Sequence, residues 1–161
     1  MLLCRVMSAK SKSAGPANKQ RKNPQSQDKK HQIDPRITKS PDREAELFAY
    51  GIELFNTRYF FEAHEAWEEI WLHTEPPEKT FLQGLIQVTA AFHHHSRDNL
   101  RGTKSLLRAG LAKLEDFPPY HRELNIEKLR EAARKWLAAL ESAAETRRPA
   151  LPRIAAAPAS R

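Results

Sequence analysis

The sequence predicts an all-α protein, a compact bundle of about five antiparallel helices with disordered extensions at both ends. Apolar residues recur at three- and four-residue steps in five stretches between residues 41 and 141. Proline pairs or polar runs separate these stretches. No stretch alternates apolar and polar residues over the length of a strand, and no Asn-Gly or Asp-Gly pair indicates a hairpin.

The first two helices are predicted in residues 41–56 and 59–74. Ser40-Pro41-Asp42 is typical of a helix start, because it offers a capping hydroxyl, a proline at the first position and an acid in the first turn. The second helix is expected to end before Pro76-Pro77, since a proline disfavours helical backbone in the residue that precedes it.

The remaining three helices follow from the same reasoning. The third, residues 77–96, is apolar on almost every side, which is typical of a helix in the middle of a bundle. The fourth begins at Leu100 after a polar break and stops at Phe117-Pro118-Pro119. The fifth opens at Asn125 and carries its apolar stripe to Leu140.

Charge divides the chain into three regions. Residues 1–40 hold ten Lys or Arg and two acids, a net charge of +8, and they lack aromatic residues. Residues 41–145 hold thirteen basic and eighteen acidic side chains, a net charge of −5, and residues 146–161 hold four Arg and no acid. We therefore expect a disordered basic extension over 1–40, a helical domain over 41–145 and a disordered Arg/Pro/Ala tail over 146–161.

Several protein classes are excluded by composition. The single cysteine, Cys4, excludes a disulfide framework and a Cys-rich zinc finger. No run approaches the roughly 18 apolar residues of a membrane span. The first residues are too short for a signal peptide, and Met7 offers an alternative start, so we expect a cytoplasmic protein.

The second helix carries an unusual polar pair. At 100° per residue, His64 falls inside the apolar arc of the helix, and Glu68 lies beside it one turn further along. A buried imidazole next to a buried carboxylate requires partners, because an isolated buried charge is costly. The simplest interpretation is a purely structural one, in which a His64–Glu68 network keeps the helices of the bundle in one arrangement.

Polar residues on the third helix could meet that pair. Gln83, Gln87 and His94 share a stripe, His93 lies next to it, and Gly84 would permit a close approach of a backbone or a ligand. If the two helices pack antiparallel, this stripe faces the second helix. The sequence then predicts a polar pocket lined by His64, Glu65, Trp67, Glu68, Trp71, Gln83, Gly84, Gln87 and His93.

A metal-binding site is the alternative interpretation of these residues. His-Glu-x-x-Glu, residues 64–68, shares its first two residues with the His-Glu-x-x-His zinc helix, although Glu68 replaces the second histidine. In this reading a divalent metal ion is held by His64, Glu68 and His93 or His94, and Glu65 is the general base. Consecutive residues of His93-His94-His95 point about 100° apart, so they cannot bind one ion together.

The chain also resembles a known family. The resemblance covers about residues 43–140 and is strongest in Tyr59-Phe60-Phe61-Glu62-Ala63-His64-Glu65-Ala66-Trp67-Glu68, in Phe81-Leu82-Gln83-Gly84-Leu85-Ile86-Gln87 and in Ala90-Ala91-Phe92-His93. These motifs are similar to those of a bacterial and plastid domain of unknown function, family 309. The resemblance implies a small helical bundle and supplies no substrate, cofactor or reaction. Its hallmark positions correspond to His64, Glu65, Glu68, Trp71, Gln83, Gly84 and His93.

The first functional interpretation is a module that binds a small molecule or a protein through the polar site between helices two and three. The alternative is a metal-dependent hydrolase that uses the His-Glu-x-x-Glu helix. A weaker alternative is an RNA-associated adaptor, because a basic extension such as residues 1–40 attracts nucleic acid in a salt-dependent way.

Overall fold

The computed structural model of the protein describes residues 41–142 and 148–158. The predictions for residues 1–40, including Met7 and Cys4, lie outside the described residues. The chain forms the helices α1 (Pro41–Asn56), α2 (Phe60–Trp71), α3 (Glu78–His95), α4 (Leu100–Leu114) and α5 (Ile126–Glu141), with the strands β1 (Tyr120–His121) and β2 (Leu124–Asn125) before α5. The predicted five-helix, all-α fold is confirmed. No helix of the described ranges has the length and apolarity to cross a bilayer.

The helices pack as sequential neighbours, each against the next along the chain. Helix α3 lies at the centre of this arrangement and buries residues on several sides, including Phe81, Leu85 and Phe92. Its contact with α4 is close because each helix has a glycine at the contact. A Cβ on Gly84 of α3 would lie 2.8 Å from Leu114, and a Cβ on Gly110 of α4 would lie 2.8 Å from Val88. Short connections and apolar stripes thus produce the bundle.

Aromatic rings join four of the elements in the core. Phe55 of α1 meets Phe60 of α2 edge to face, with ring centroids 5.3 Å apart, and Phe60 lies 5.6 Å from Phe92 of α3. Phe92 in turn lies 5.6 Å from Trp136 of α5. Such ring pairs add to the free energy gained by apolar burial, so they fix the relative positions of these helices.

A small hairpin precedes α5, where the sequence signals no strand. Strands β1 and β2 pair antiparallel, with Tyr120 opposite Asn125. The two turn residues, Arg122 and Glu123, have positive φ angles of 49° and 60°. Neither is the Asn or Gly that favours such a turn, so local preference does not account for it. Arg122 is instead held by Glu44 of α1, 2.5 Å away.

The structure of residues 148–158 also differs from the one predicted. Residues 148–158, predicted as part of a disordered tail, lie against the bundle, and Ile154 is buried. The amide of Asn56 forms two hydrogen bonds with the backbone of Ile154, of 2.8 and 3.0 Å. Composition did not indicate this contact because it reports local preference, whereas two partners of the segment, Asn56 and Arg58, lie more than ninety residues away in the chain.

Candidate functional site

Helix α2 buries two ionisable side chains. His64 and Glu68 are each only 5% exposed, on the same side of the helix as Ala63, Trp67 and Ile70. Glu65, predicted as a general base, is on the exposed side of the helix. The apolar stripe of α2 therefore carries a histidine and a carboxylate into the bundle, whereas Glu65 faces away from them.

The environment of His64 favours a neutral imidazole. Its ring stacks on Phe61, with centroids 6.3 Å apart and planes inclined by 19°. Burial lowers the pKa of His64, the charge of Glu68 opposes this shift, and His93 adds to it. Among the described residues, the Nδ1 atom of His64 has no hydrogen-bond partner. A buried ring with a free polar atom is a group that a ligand or a water molecule can satisfy.

Two contacts set the register of α2 against α3. Phe61 lies 5.2 Å from the ring of His93, and the ammonium of Lys79 lies 4.7 Å from the ring centroid of Trp71. Because the first contact joins the start of α2 to the end of α3 and the second joins the opposite ends, the helices run antiparallel. We call the contact zone between them the polar seam.

Helices α2 and α3 carry further buried polar groups without partners in the described part of the chain. Gln87 is 6% exposed, and within the described part of the chain its Oε1 atom has no hydrogen-bond donor. The Nε1 atom of Trp71 is likewise buried without an acceptor in that part of the chain. Gln83 is half-buried one turn before Gln87. His64, Gln87 and Trp71 thus supply unsatisfied polar atoms on the two helices that form the seam.

Two predicted pocket residues belong instead to helix contacts. Trp67 is fully buried, and its indole N–H donates to the carbonyl of Phe48 at 3.2 Å. Gly84 faces Leu114 and the backbone of Gly110, so the close approach that a glycine permits is made by α4. Both residues are explained by packing between helices.

The side chains proposed to bind a metal do not form a site. His94 is paired with the amide of Asn99, at 2.8 Å between Nδ1 and Nδ2, at the corner between α3 and α4. Across residues 41–142 and 148–158, no three His, Cys, Asp or Glu side chains are grouped so as to hold a metal ion. The geometry therefore gives no support to the predicted ligand set of His64, Glu68, His93 and His94, or to the hydrolase that depends on it.

An open cleft of about 320 Å³ lies at one end of the polar seam. It is formed by the corner between α1 and α2 together with the end of α3, and its lining includes Arg58, Tyr59, Phe61, Glu62, His93 and Arg97. Of these residues, only His93 is predicted as a site residue from the sequence. The positive φ angle of 77° at Arg58 marks the sharp corner, and no sequence signal brings that corner to the end of α3.

The comparisons with known proteins concern the region that contains the cleft. Residues 48–106 match the model of a family described as "Domain of unknown function (DUF309)". An uncharacterized protein of Bacillus subtilis (strain 168), YpuF, is 37% identical over 67 residues, which are 41% of this chain and 38% of that protein. An uncharacterized protein of Aquifex aeolicus (strain VF5) is 30% identical over 89 residues, 55% of this chain and 27% of that protein.

This chain spans less than two fifths of the length of either curated relative. The matched region holds α2 and α3 completely, and with them the polar seam and every lining residue of the cleft. The strands, α5 and residues 148–158 lie beyond it. The region from Phe48 to Leu106 is therefore the part of the chain that is similar to the DUF309 family.

Proposed function

We propose that this protein is a binding module that takes a small anionic molecule into the cleft at the start of α2. The observation that carries the proposal is the composition of the cleft wall, which combines Arg58, Arg97 and His93 with exposed aromatic rings. Clefts of a few hundred Å³ with a few convergent polar groups are the usual form of a small-molecule site.

The charge of the cleft favours an anion. Two arginines line it, and Glu62 is the one acid among the lining residues. Arg58 donates hydrogen bonds to the neutral carbonyls of Pro152, at 2.6 Å, and Leu151, at 3.3 Å, so its charge has not been neutralised there. Arginine presents a planar fork of donors that matches a carboxylate or a phosphate, which makes it the appropriate residue for this role.

The backbone at the start of α2 adds to the positive charge of the cleft. Tyr59 occupies the capping position, but its side chain accepts no hydrogen bond from the helix. The amides of the first turn, including those of Phe60 and Phe61, are thus left without a side-chain cap. The first amides of a helix carry a partial positive charge and commonly bind anions.

The aromatic lining provides for an apolar part of the ligand. Tyr59 is 59% exposed and Phe61 is 44% exposed, which is unusual for rings of this size. Phe61 also contacts both His93 in the cleft and His64 in the polar seam. A ligand that carries an anionic group and a ring would bind both kinds of surface, and its binding would be transmitted to the buried His64 through Phe61.

Titration calorimetry with three probes tests the proposal. Phenyl phosphate should bind more tightly than inorganic phosphate, whereas phenol, which lacks the anion, should not bind measurably. Arg97→Gln should weaken the binding of phenyl phosphate about tenfold, because a charge-assisted hydrogen bond contributes about 1.4 kcal/mol or more. Arg101→Gln, an exposed arginine outside the cleft, is the matched control and should change the affinity less than about twofold.

Two results would refute this function. One is the absence of saturable binding of either anion up to about 10 mM, which corresponds to less than 3 kcal/mol of binding free energy. The other is an equal loss of affinity in the Arg97 and Arg101 variants, since that would indicate attraction to the general charge of the protein.

The +8 charge of residues 1–40 favours a second candidate, an adaptor that contacts RNA through this extension. Such binding arises from neutralised phosphates and weakens steeply with salt. Removal of residues 1–40 should abolish the retention of the protein on single-stranded RNA at low salt. Unchanged retention would reject the adaptor without affecting the proposal for the cleft.

A further inference from the structure

Residues 148–158, which we call the C-terminal segment, are held to the bundle mainly through their backbone. Asn56 pairs with both the N–H and the carbonyl of Ile154, and Arg58 donates to the carbonyl of Pro152. The indole of Trp136 donates to the carbonyl of Ala150 at 2.9 Å. These are contacts of the kind that recognise an extended peptide irrespective of most of its side chains.

The hairpin adds the hydrogen bonds of a strand. The N–H of Asn125 donates to the carbonyl of Ala155 at 2.8 Å, and the N–H of Ala157 donates to the carbonyl of Glu123. Leu124 and Ala156 form an antiparallel bridge. The C-terminal segment therefore extends the two-stranded sheet at its edge, which is how many domains bind peptides.

Few side chains of the C-terminal segment contribute to the contact. Pro152 and Ile154 are buried, and Arg153 between them is exposed. This alternation is that of an extended strand that inserts every second side chain. Pro152 and Ile154 are the buried side chains, and Leu151 packs partly buried against the core, so the recognition pattern is short.

We propose that Asn56, Arg58, Asn125 and Trp136 form a peptide-docking groove for an extended Pro-x-Ile segment. In the folded chain the C-terminal segment occupies the groove as an intramolecular ligand. Because the segment is covalently attached, its effective concentration at the groove is of the order of millimolar, so that even a weak peptide contact keeps the groove filled. The groove shares Arg58 with the cleft, but its contacts with the segment are made whatever the cleft binds, so the inference does not rest on the proposed function.

The test uses the full chain with Ile154→Asp, which weakens the internal segment and leaves every residue of the groove in place. A fluorescent peptide of residues 148–158 should bind this variant at least tenfold more tightly than it binds the wild type, as measured by anisotropy. The same peptide with Ile154→Asp should not bind. Adding Asn56→Ala to the protein should remove the gain, because it deletes the side chain that pairs with the Ile154 backbone.

If the Ile154→Asp protein is folded but does not bind the wild-type peptide of residues 148–158, the proposal is overturned. Hydrogen exchange of the wild type provides a measurement that does not depend on that variant folding. If the segment is a displaceable ligand, the amides of Ile154, Asn125 and Ala157 should exchange at least tenfold faster than the core amides of α3. Exchange at the rate of the α3 amides would show that the segment leaves only on global unfolding, and would likewise overturn the proposal.

Discussion

The indole ring of Trp67 lies directly against the backbone of Gly51, so that a Cβ atom on Gly51 would be 2.3 Å from Nε1. The same indole donates to the carbonyl of Phe48, one turn earlier in α1. Trp67 is fully buried by this arrangement. A tryptophan that interlocks two helices in this way is a packing residue, and the glycine is required because any side chain would occupy the position of the ring.

Gly51→Ala should destabilise the protein by about 3 kcal/mol, since the ring of Trp67 or the α1 backbone must move to admit the methyl group. Urea unfolding followed by circular dichroism measures this change. Glu53→Ala, on the exposed face of the same helix, should stay within about 0.5 kcal/mol of the wild type. Equal stability of the two variants would show that the contact between Gly51 and Trp67 is not tight.

Arg130→Met should cost about 2–3 kcal/mol of stability. Arg130 is 6% exposed, and its Nη1 atom donates to the carbonyls of Leu114 and Phe117, each at 2.8 Å, at the end of α4. Methionine fills a similar volume but removes this donor from both carbonyls. The Leu114 carbonyl still accepts from the N–H of Phe117 at 3.2 Å, whereas the Phe117 carbonyl loses its bond to Arg130, and an unsatisfied buried acceptor costs about 1–3 kcal/mol.

Arg134→Met is the control for that measurement by thermal or urea unfolding. Arg134 is exposed and pairs with Glu115 and Glu127. Such surface pairs contribute about 0–1 kcal/mol. A loss at Arg134 as large as that at Arg130 would contradict the assignment of Arg130 as the cap of α4.

Protonation of His64 should destabilise the fold. Because burial lowers the pKa of His64 below its ordinary value of 6.5, the unfolded state binds more protons than the folded state. The free energy of unfolding should therefore be highest above pH 6.5 and fall as the pH decreases below it. Urea unfolding between pH 7.5 and pH 5 measures this slope.

His64→Gln should flatten that dependence on pH, leaving the part that arises from His93 and His95, whose pKa values are also lowered by burial. The wild type, measured under the same conditions, gives the full slope for comparison. If the His64→Gln variant retains the slope of the wild type, the buried imidazole is not the group that titrates.

His64→Ala and Glu65→Gln separate the two faces of α2. The first removes a buried ring that stacks on Phe61 and should cost about 1–3 kcal/mol of stability. The second alters an exposed carboxylate and should change stability by less than about 0.5 kcal/mol. Thermal melts of both variants give the comparison, and a larger effect at Glu65 would invalidate our description of the site.

The helices could be predicted because their signals are local. The apolar spacing of α2, the proline pair after it and the capping by Asn125 each act within a few residues. The hairpin could not be predicted in this way, because the positive φ angles at Arg122 and Glu123 have no local cause. The ion pair of Arg122 is with Glu44, 78 positions away in the chain.

The candidate site was predictable in part for the same reason. The spacing of His64 and Glu68 follows from helix geometry alone, and both are buried on one side of α2. The neighbours of that pair were harder to predict from the sequence. The helix pattern allowed Trp67 to line a pocket, but its contacts with Phe48 and Gly51 show that it packs between helices. His94 could have faced the seam, yet it pairs with Asn99.

By itself the sequence determined the five helices, their breaks and the polar character of α2, because periodicity and capping depend on residues close together in the chain. Only the tertiary structure decided that the corner at Arg58 meets the end of α3 to form a cleft, and that residues 148–158 extend a sheet. Both depend on side-chain and backbone contacts between distant positions. No short window of sequence contains both partners of such a contact.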